Sequence, residues 1–272
     1  KKKRKHLNER KINMNNNNKN LALARFITSF GSMNNYKSSV LQTKRVLDNE
    51  VGAQLPKNDT AILYDALDGI SAIEDKGFNS DGIIAVNKAF TYSENEDPQL
   101  PGHLRNAFYN PDDAIMIVTD PNGTSRGAYS APDVVKKKDL DNIVIEFNKS
   151  KKTRRDGWKV FAKISKLQPF QDGNKRTALI AANAAMNTWD KQNYLVLPFN
   201  NIDHAEFMVN LMRFYVAETD IDEEKALDKI MTTLPTEKEV NLHLPLTKEE
   251  KENPLNLKTK RIKSFYSNKL SN

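Results

Sequence analysis

A chain of 272 residues has room for one large domain or two small ones, and with 38% apolar residues it can build a core. It contains no Cys, which excludes disulfides and thiolate chemistry, and no window approaches the ~18 uncharged apolar residues of a membrane span. The net charge of +7 belongs to the ends: residues 1–11 carry +6 and residues 257–272 carry +5, which leaves −4 between them and argues against a basic nucleic-acid-binding core.

Residues 1–19 read as a basic, Asn-rich, flexible N-terminus. Lys1-Lys2-Lys3-Arg4-Lys5 has the composition of a nuclear import signal, and Met14 heads an expected internal start. No apolar h-region follows the basic run, so a secretory signal is not expected. Asn15 to Asn18 form a low-complexity run that cannot build a core. Helical periodicity begins at Leu21, with Leu21, Leu23, Ala24, Ile27 and Phe30 on one face and Gly31 as its end. Ser38 or Ser39 is placed to cap a second helix carrying Val40, Leu41, Val46 and Leu47. Asp59 or Thr60 is placed to cap a third, whose broad stripe of Ala61, Ile62, Leu63, Ala66, Leu67 and Ile70 predicts deep burial. Ser80-Asp81 opens a short fourth, with Ile83, Ile84, Val86 and Phe90.

Residues 92–113 are polar and rich in Pro, Asn and Asp, which predicts a loop. The runs Ala114 to Thr119 and Thr124 to Tyr129 flank Pro121-Asn122-Gly123, a turn composition in which Pro presets φ and Asn and Gly tolerate positive φ. A β-hairpin is expected there. Helices return after Pro132: Leu140, Ile143, Val144 and Phe147 mark one, and Trp158, Phe161, Ile164, Ser165 and Leu167 the next. A helix is expected from Thr177 to about Trp189, another around Glu206, Phe207, Leu211, Phe214 and Tyr215, and a last one from Glu224 to Thr232. Residues 235–272 read as a polar, basic tail. The domain is therefore expected over residues 20–234, mainly α, as a helical bundle with one hairpin.

Between two of these helices stands Pro169-Phe170-Gln171-Asp172-Gly173-Asn174-Lys175-Arg176-Thr177. Asp-Gly-Asn running into a helix aims successive backbone N–H groups at one point, and the helix N-terminus adds partial positive charge there. Lys175 and Arg176 add full charges where a helix disfavours cations, which a bound polyphosphate would explain. Gly173 permits close backbone approach, and the Asn174 amide can donate to a phosphate oxygen. Asp172 is the loop's acid, and beside a polyphosphate a carboxylate is the natural ligand of Mg²⁺. An ordinary turn and cap has the same local composition, so spacing alone leaves both readings open.

The segment resembles the signature of the Fic/Doc family, His-Pro-Phe-x-(Asp/Glu)-Gly-Asn-x-Arg, at eight consecutive positions from Pro169 to Arg176. Gly102-His103-Leu104-Arg105 is similar to the Gly-x-Leu-Arg that precedes the family's hairpin flap. The resemblance covers roughly residues 36–220. It implies the Fic fold, a flap at about 114–130 and a motif loop at 168–177. It also implies transfer of AMP from ATP, with Mg²⁺, to a Ser, Thr or Tyr hydroxyl of a target protein. By motif position Asp172 would hold Mg²⁺, and Gly173, Asn174, Lys175 and Arg176 the phosphates. Phe170 would anchor the loop. Ile117, Val118 and Thr119 of the flap would pair with the target's backbone. A cytoplasmic, bacterial-type protein is implied, with a secreted effector as the alternative and a separate antitoxin chain as a further partner. Nucleic acid would be reached only through the basic tails, and no membrane is involved.

Three departures qualify the resemblance. Gln168 stands where the family carries its His, and an amide cannot act as a general base near neutral pH. Its presence fits an introduced change, a natural pseudoenzyme that still binds nucleotide, or a reaction needing no base. His103 and His204 are the His residues of the core region, and His103 is the candidate substitute base. Leu179 stands where many AMP-transferring members have a second Arg. Self-inhibited members use a helix with Ser/Thr-x-x-x-Glu, and here the nearest segment, Ser38 to Thr43, has Gln42 in place of Glu, so self-inhibition by that route is not expected. The two functions that follow are a Fic-type AMP transferase impaired at Gln168 and a nucleotide-binding, partner-docking module without the chemistry.

Overall fold

A computed structural model describes residues 17–93, 100–118, 128–236 and Val240. In chain order its elements are α1 (Asn17–Gly31), α2 (Val40–Leu47), α3 (Lys57–Lys76), α4 (Ser80–Lys88), β1 (Met116–Val118), β2 (Ala128–Ser130), α5 (Lys137–Lys149), α6 (Arg154–Leu167), α7 (Asn174–Ala185), α8 (Thr188–Lys191), α9 (Asn201–Val216) and α10 (Asp220–Thr233). The chain is mainly helical, and its described strands form one two-stranded antiparallel sheet. None of the described helices is long and apolar enough to cross a membrane.

The centre of the fold is α7. Every residue from Arg176 to Asn183 is buried, and the helix packs against α6, α4 and α3. Its composition makes this feasible, because Ala178, Ala181 and Ala182 let neighbouring helices approach closely. Gly69 on α3 serves the same contact, since a Cβ there would stand 2.8 Å from Cδ1 of Ile180. Around α7 lies one continuous core that includes Phe30, Phe90, Trp158, Phe161, Phe207 and Phe214.

The expected helices all form, and their starts show what local pattern does not reveal. Ser39 caps α2 through a capping box with Gln42. α3 begins earlier than expected, at Lys57 after Pro56. Asp59 does not cap its own helix: its buried carboxylate accepts from the Ser38 backbone N–H at 2.8 Å and the Ser38 hydroxyl at 2.5 Å, clamping the chain that enters α2. α4 is capped by Asn79, one residue before the expected Ser80. The helix expected from Thr177 to Trp189 begins at Asn174 and breaks at Asn187, a left-handed residue (φ 46°) that separates α7 from α8.

The hairpin is present with shorter strands than expected, pairing Met116 with Ser130, Ile117 with Tyr129 and Val118 with Ala128. Ile117 and Tyr129 pack on the core, whereas Met116 and Val118 face solvent. Thr119 and the Pro121-Asn122-Gly123 turn lie outside the described residues, as do the basic tails up to Asn16 and beyond Val240. The segment Tyr194 to Leu197, assigned to no element by the sequence pattern, is buried. Asn183 holds it by accepting from Leu195 N at 2.8 Å and donating to Leu195 O at 3.1 Å, and Ser29 accepts from Leu197 N.

Candidate phosphate-binding loop

The loop starts where α6 ends. Gln168 is the C-cap of α6 in the left-handed conformation (φ 50°, ψ 58°), so the chain turns sharply into Pro169. Phe170, fully buried, fixes the middle of the loop in the core. Gly173 then takes φ 75° and becomes the N-cap of α7. A Cβ at this position would lie 3.0 Å from both Asn87 Nδ2 and Phe90 Cδ2, so the left-handed conformation calls for glycine and a side chain would press on both neighbours.

The first half of the loop is closed on itself. The Gln168 side chain is buried; its Nε2 donates to Ser165 O at 2.6 Å, and its Oε1 accepts from Asn174 Nδ2 at 2.8 Å. Asn174 also donates to Phe170 O and accepts from Phe170 N, both at 2.8 Å. Both ends of the Asn174 amide are thus engaged within the loop rather than directed at a ligand. Beside Gln168 lie Ser165 Oγ and the Tyr215 hydroxyl, two buried oxygens. Burial pushes the Tyr215 phenol well above its ordinary value, with the neighbouring Ser165 and Gln168 opposing the shift.

The second half is more open. The Asp172 side chain is 48% exposed, with Oδ2 at 3.4 Å from Nη2 of Arg176 one turn later. Arg176 is buried, with its guanidinium 5.0 Å from the centre of the Phe90 ring and 3.7 Å from Asp65. Asp65 is itself wholly buried and accepts from Thr91 N, Tyr92 N and the Ser93 hydroxyl. Burial raises its carboxyl pKa, and those three donors and Arg176 oppose the rise. Lys175 is half-buried. Among the described residues no three His, Asp or Glu side chains converge as a metal site. A cation here would rest on Asp172 and on ligand oxygens, a donor set that suits Mg²⁺.

Around the loop stands a scaffold built largely from the polar segment before the hairpin. Arg105 is completely buried and donates to the carbonyls of Gln168, Asp113 and Pro132, and its own N–H donates to Pro169 O at 3.0 Å. Asp113, also wholly buried, accepts from Gln171 Nε2 at 2.6 Å and from Asn106 N at 2.6 Å. Burial works against its ionisation, but those two donors and His103, 3.2 Å away, outweigh it and hold the carboxyl below the usual range. Asn87 of α4 donates to Asp172 O at 2.9 Å and accepts from Gly102 N at 2.8 Å. The Tyr129 hydroxyl of β2 donates to Lys166 O at 2.8 Å, which ties the hairpin to the last turn of α6.

No protein-family model matches the chain, and no curated protein matches it either. A solved structure of a Fic domain containing signaling protein from Bacteroides thetaiotaomicron aligns with 80% of this chain and 80% of its own, at 14% identity and a TM-score of 0.49. At that identity and score the likeness decides neither family nor activity.

The structure gathers Gln168, Asp172, Gly173, Asn174, Lys175 and Arg176 into one loop and helix start. Ile117 and Val118 lie in β1, whose partner strand reaches α6 through Tyr129. Leu179 is fully buried in the core. His103 is half-exposed and bonded to Asp113, while His204 lies in the first turn of α9. Sequence pattern missed Asp65, Asn87 and Asp113. Each is a buried polar residue with at least one partner distant in sequence, which no local periodicity encodes.

Proposed function

We propose that this is a Fic-type protein whose segment from Asp172 to Arg176 holds Mg²⁺-bound ATP, and whose transfer of AMP to a target hydroxyl is impaired by Gln168. The observation that carries this reading is the Gly173-led start of α7. A left-handed glycine opens the helix, the half-exposed Asp172 precedes it, and Arg176 sits one turn in. The unpaired N–H groups of a helix start favour phosphate. Arg176 adds a fixed positive charge, and Asp172 offers one carboxylate to the metal. Mg²⁺ bound there would neutralise phosphate charge. The chain's own contribution is positioning: Arg105, Asn87 and Asp113 fix the loop from outside, and Phe170 fixes it from within.

Gln168 limits the chemistry. Its amide is bonded at both ends, and an amide takes no proton near neutral pH. Loss of a general base costs about 10²–10⁴-fold. The same closed geometry favours a second reading, a nucleotide-binding module that docks a partner without transferring AMP.

The two readings separate in one experiment. The chain and its Gln168→His variant are incubated with Mg²⁺, ATP labelled at the α-phosphate, and cell lysate. The transferase reading predicts protein labelling that rises about 10²-fold or more with Gln168→His. An imidazole at 168 would find Ser165 Oγ and the Tyr215 hydroxyl beside it. Absence of label with either protein supports the binding module, and equal label with both would defeat the assignment of Gln168.

A further inference from the structure

A cavity of about 440 Å³ lies away from the loop, walled by Ala22 and Arg25 of α1, Arg154 of α6, and Gln192, Asn193 and Tyr194. Arg25 is only 8% exposed, and its Nε and Nη2 have no hydrogen-bond partner. Arg154, at the first position of α6, donates to Tyr194 O at 3.1 Å and to Asn193 Oδ1 at 3.4 Å. Both of its acceptors are neutral. No carboxylate lines the cavity among the described residues.

This arrangement is costly as it stands. A buried guanidinium without a counter-charge is strongly disfavoured, because desolvation is not repaid by an ion pair. Burial of the side chain lowers the pKa of both arginines, Arg154 being exposed as a whole residue, and among the described residues no carboxylate opposes the shift at either. The partial positive charge at the start of α6 adds to the same field. A bound anion removes the conflict. Two guanidinium forks match the oxygens of a phosphate group, which is the geometry for which Arg is suited. Gln192 and Asn193 bring carboxamides to the same wall, and the volume falls within the range of small-molecule sites.

We infer that this cavity is a second anion site, in which Arg25 and Arg154 bind the phosphate group of a small molecule. It does not depend on the reading of the loop. The test is thermal unfolding of the full chain in inorganic phosphate and in chloride at matched ionic strength. The wild type should show a saturable rise of about 3 °C or more in phosphate. Arg25→Met should unfold at a higher temperature than wild type in chloride, because an unpaired buried charge is gone, and should lose the phosphate response. Arg154→Gln should weaken the response by about ten-fold in phosphate concentration, as expected for one charge-assisted fork. Lys175→Gln, which removes a cation from the loop, should keep the response in full. No saturable rise in the wild type would overturn the site. So would an unchanged response in Arg25→Met and Arg154→Gln, or its loss in Lys175→Gln, which would place phosphate at the loop instead.

Discussion

The two halves of the loop differ in what they leave available. From Gln168 to Phe170, with Asn174, the polar side-chain groups are joined to one another and buried. From Asp172 to Arg176 a carboxylate stands half in solvent beside a buried guanidinium, at the start of the central helix. The half that would handle a proton is sealed, and the half that would hold phosphate is not. Binding and transfer are therefore separable properties of this loop, and substitutions should reveal them separately.

The largest effect is expected at Arg105, because the scaffold supports both halves. Arg105→Ala leaves the carbonyls of Gln168, Asp113 and Pro132 without their donor. Each unsatisfied buried group costs about 1–3 kcal/mol, so urea denaturation should show a loss of about 3 kcal/mol or more. Arg105→Lys should not restore it, since one ammonium cannot reproduce a planar fork. Gly173→Ala comes next and acts on the open half. The left-handed backbone and the contacts with Asn87 and Phe90 should cost about 1–3 kcal/mol, and ATP affinity should fall by about ten-fold or more. Retained affinity would mean that the helix start does not hold the phosphates.

Asp113 offers a test by pH. Its folded carboxyl is held below the usual range, so its stabilisation is full above the unfolded value of about 3.9 and is lost as pH falls through the lower folded value. Wild type should therefore lose stability more steeply below about pH 4 than Asp113→Asn. Parallel acid limbs would show that Asp113 is not a charged brace of the loop. The smallest effect is expected at Gln42. It completes the capping box of α2 on an exposed surface, so Gln42→Gly should cost about 1 kcal/mol and leave ATP affinity unchanged. A marked change in affinity would reveal a self-inhibitory contact, for which the buried Leu179 supplies no charged partner.

Much of this architecture was legible in the sequence because it is local. Helical stripes such as Leu140, Ile143, Val144 and Phe147 repeat at the helical period and are buried as that period requires. The loop was legible through its resemblance to a family signature, because Asp-Gly-Asn before a helix is by itself equally an ordinary turn and cap. The scaffold was not. Residues 92–113 read as a loop because Pro, Asn and Asp predominate there, yet Arg105 and Asp113 are among the most buried polar groups described. Their partners Gln168 and Gln171 lie more than fifty residues away, so their burial is a property of the folded chain alone. Asp59 makes the same point: its position suggested a helix cap, and its carboxylate serves a different segment. The closure of Gln168 and Asn174 onto each other also became visible only in three dimensions.

The central claim is that the open half of the loop holds a metal-bound polyphosphate. Calorimetric titration of the full chain with ATP, with and without Mg²⁺, tests it most directly, alongside Asp172→Ala. The account predicts that Mg²⁺ strengthens ATP binding to the wild type and that Asp172→Ala abolishes that dependence while the protein remains folded. Mg²⁺-independent binding, or Mg²⁺ dependence undiminished in Asp172→Ala, would contradict it.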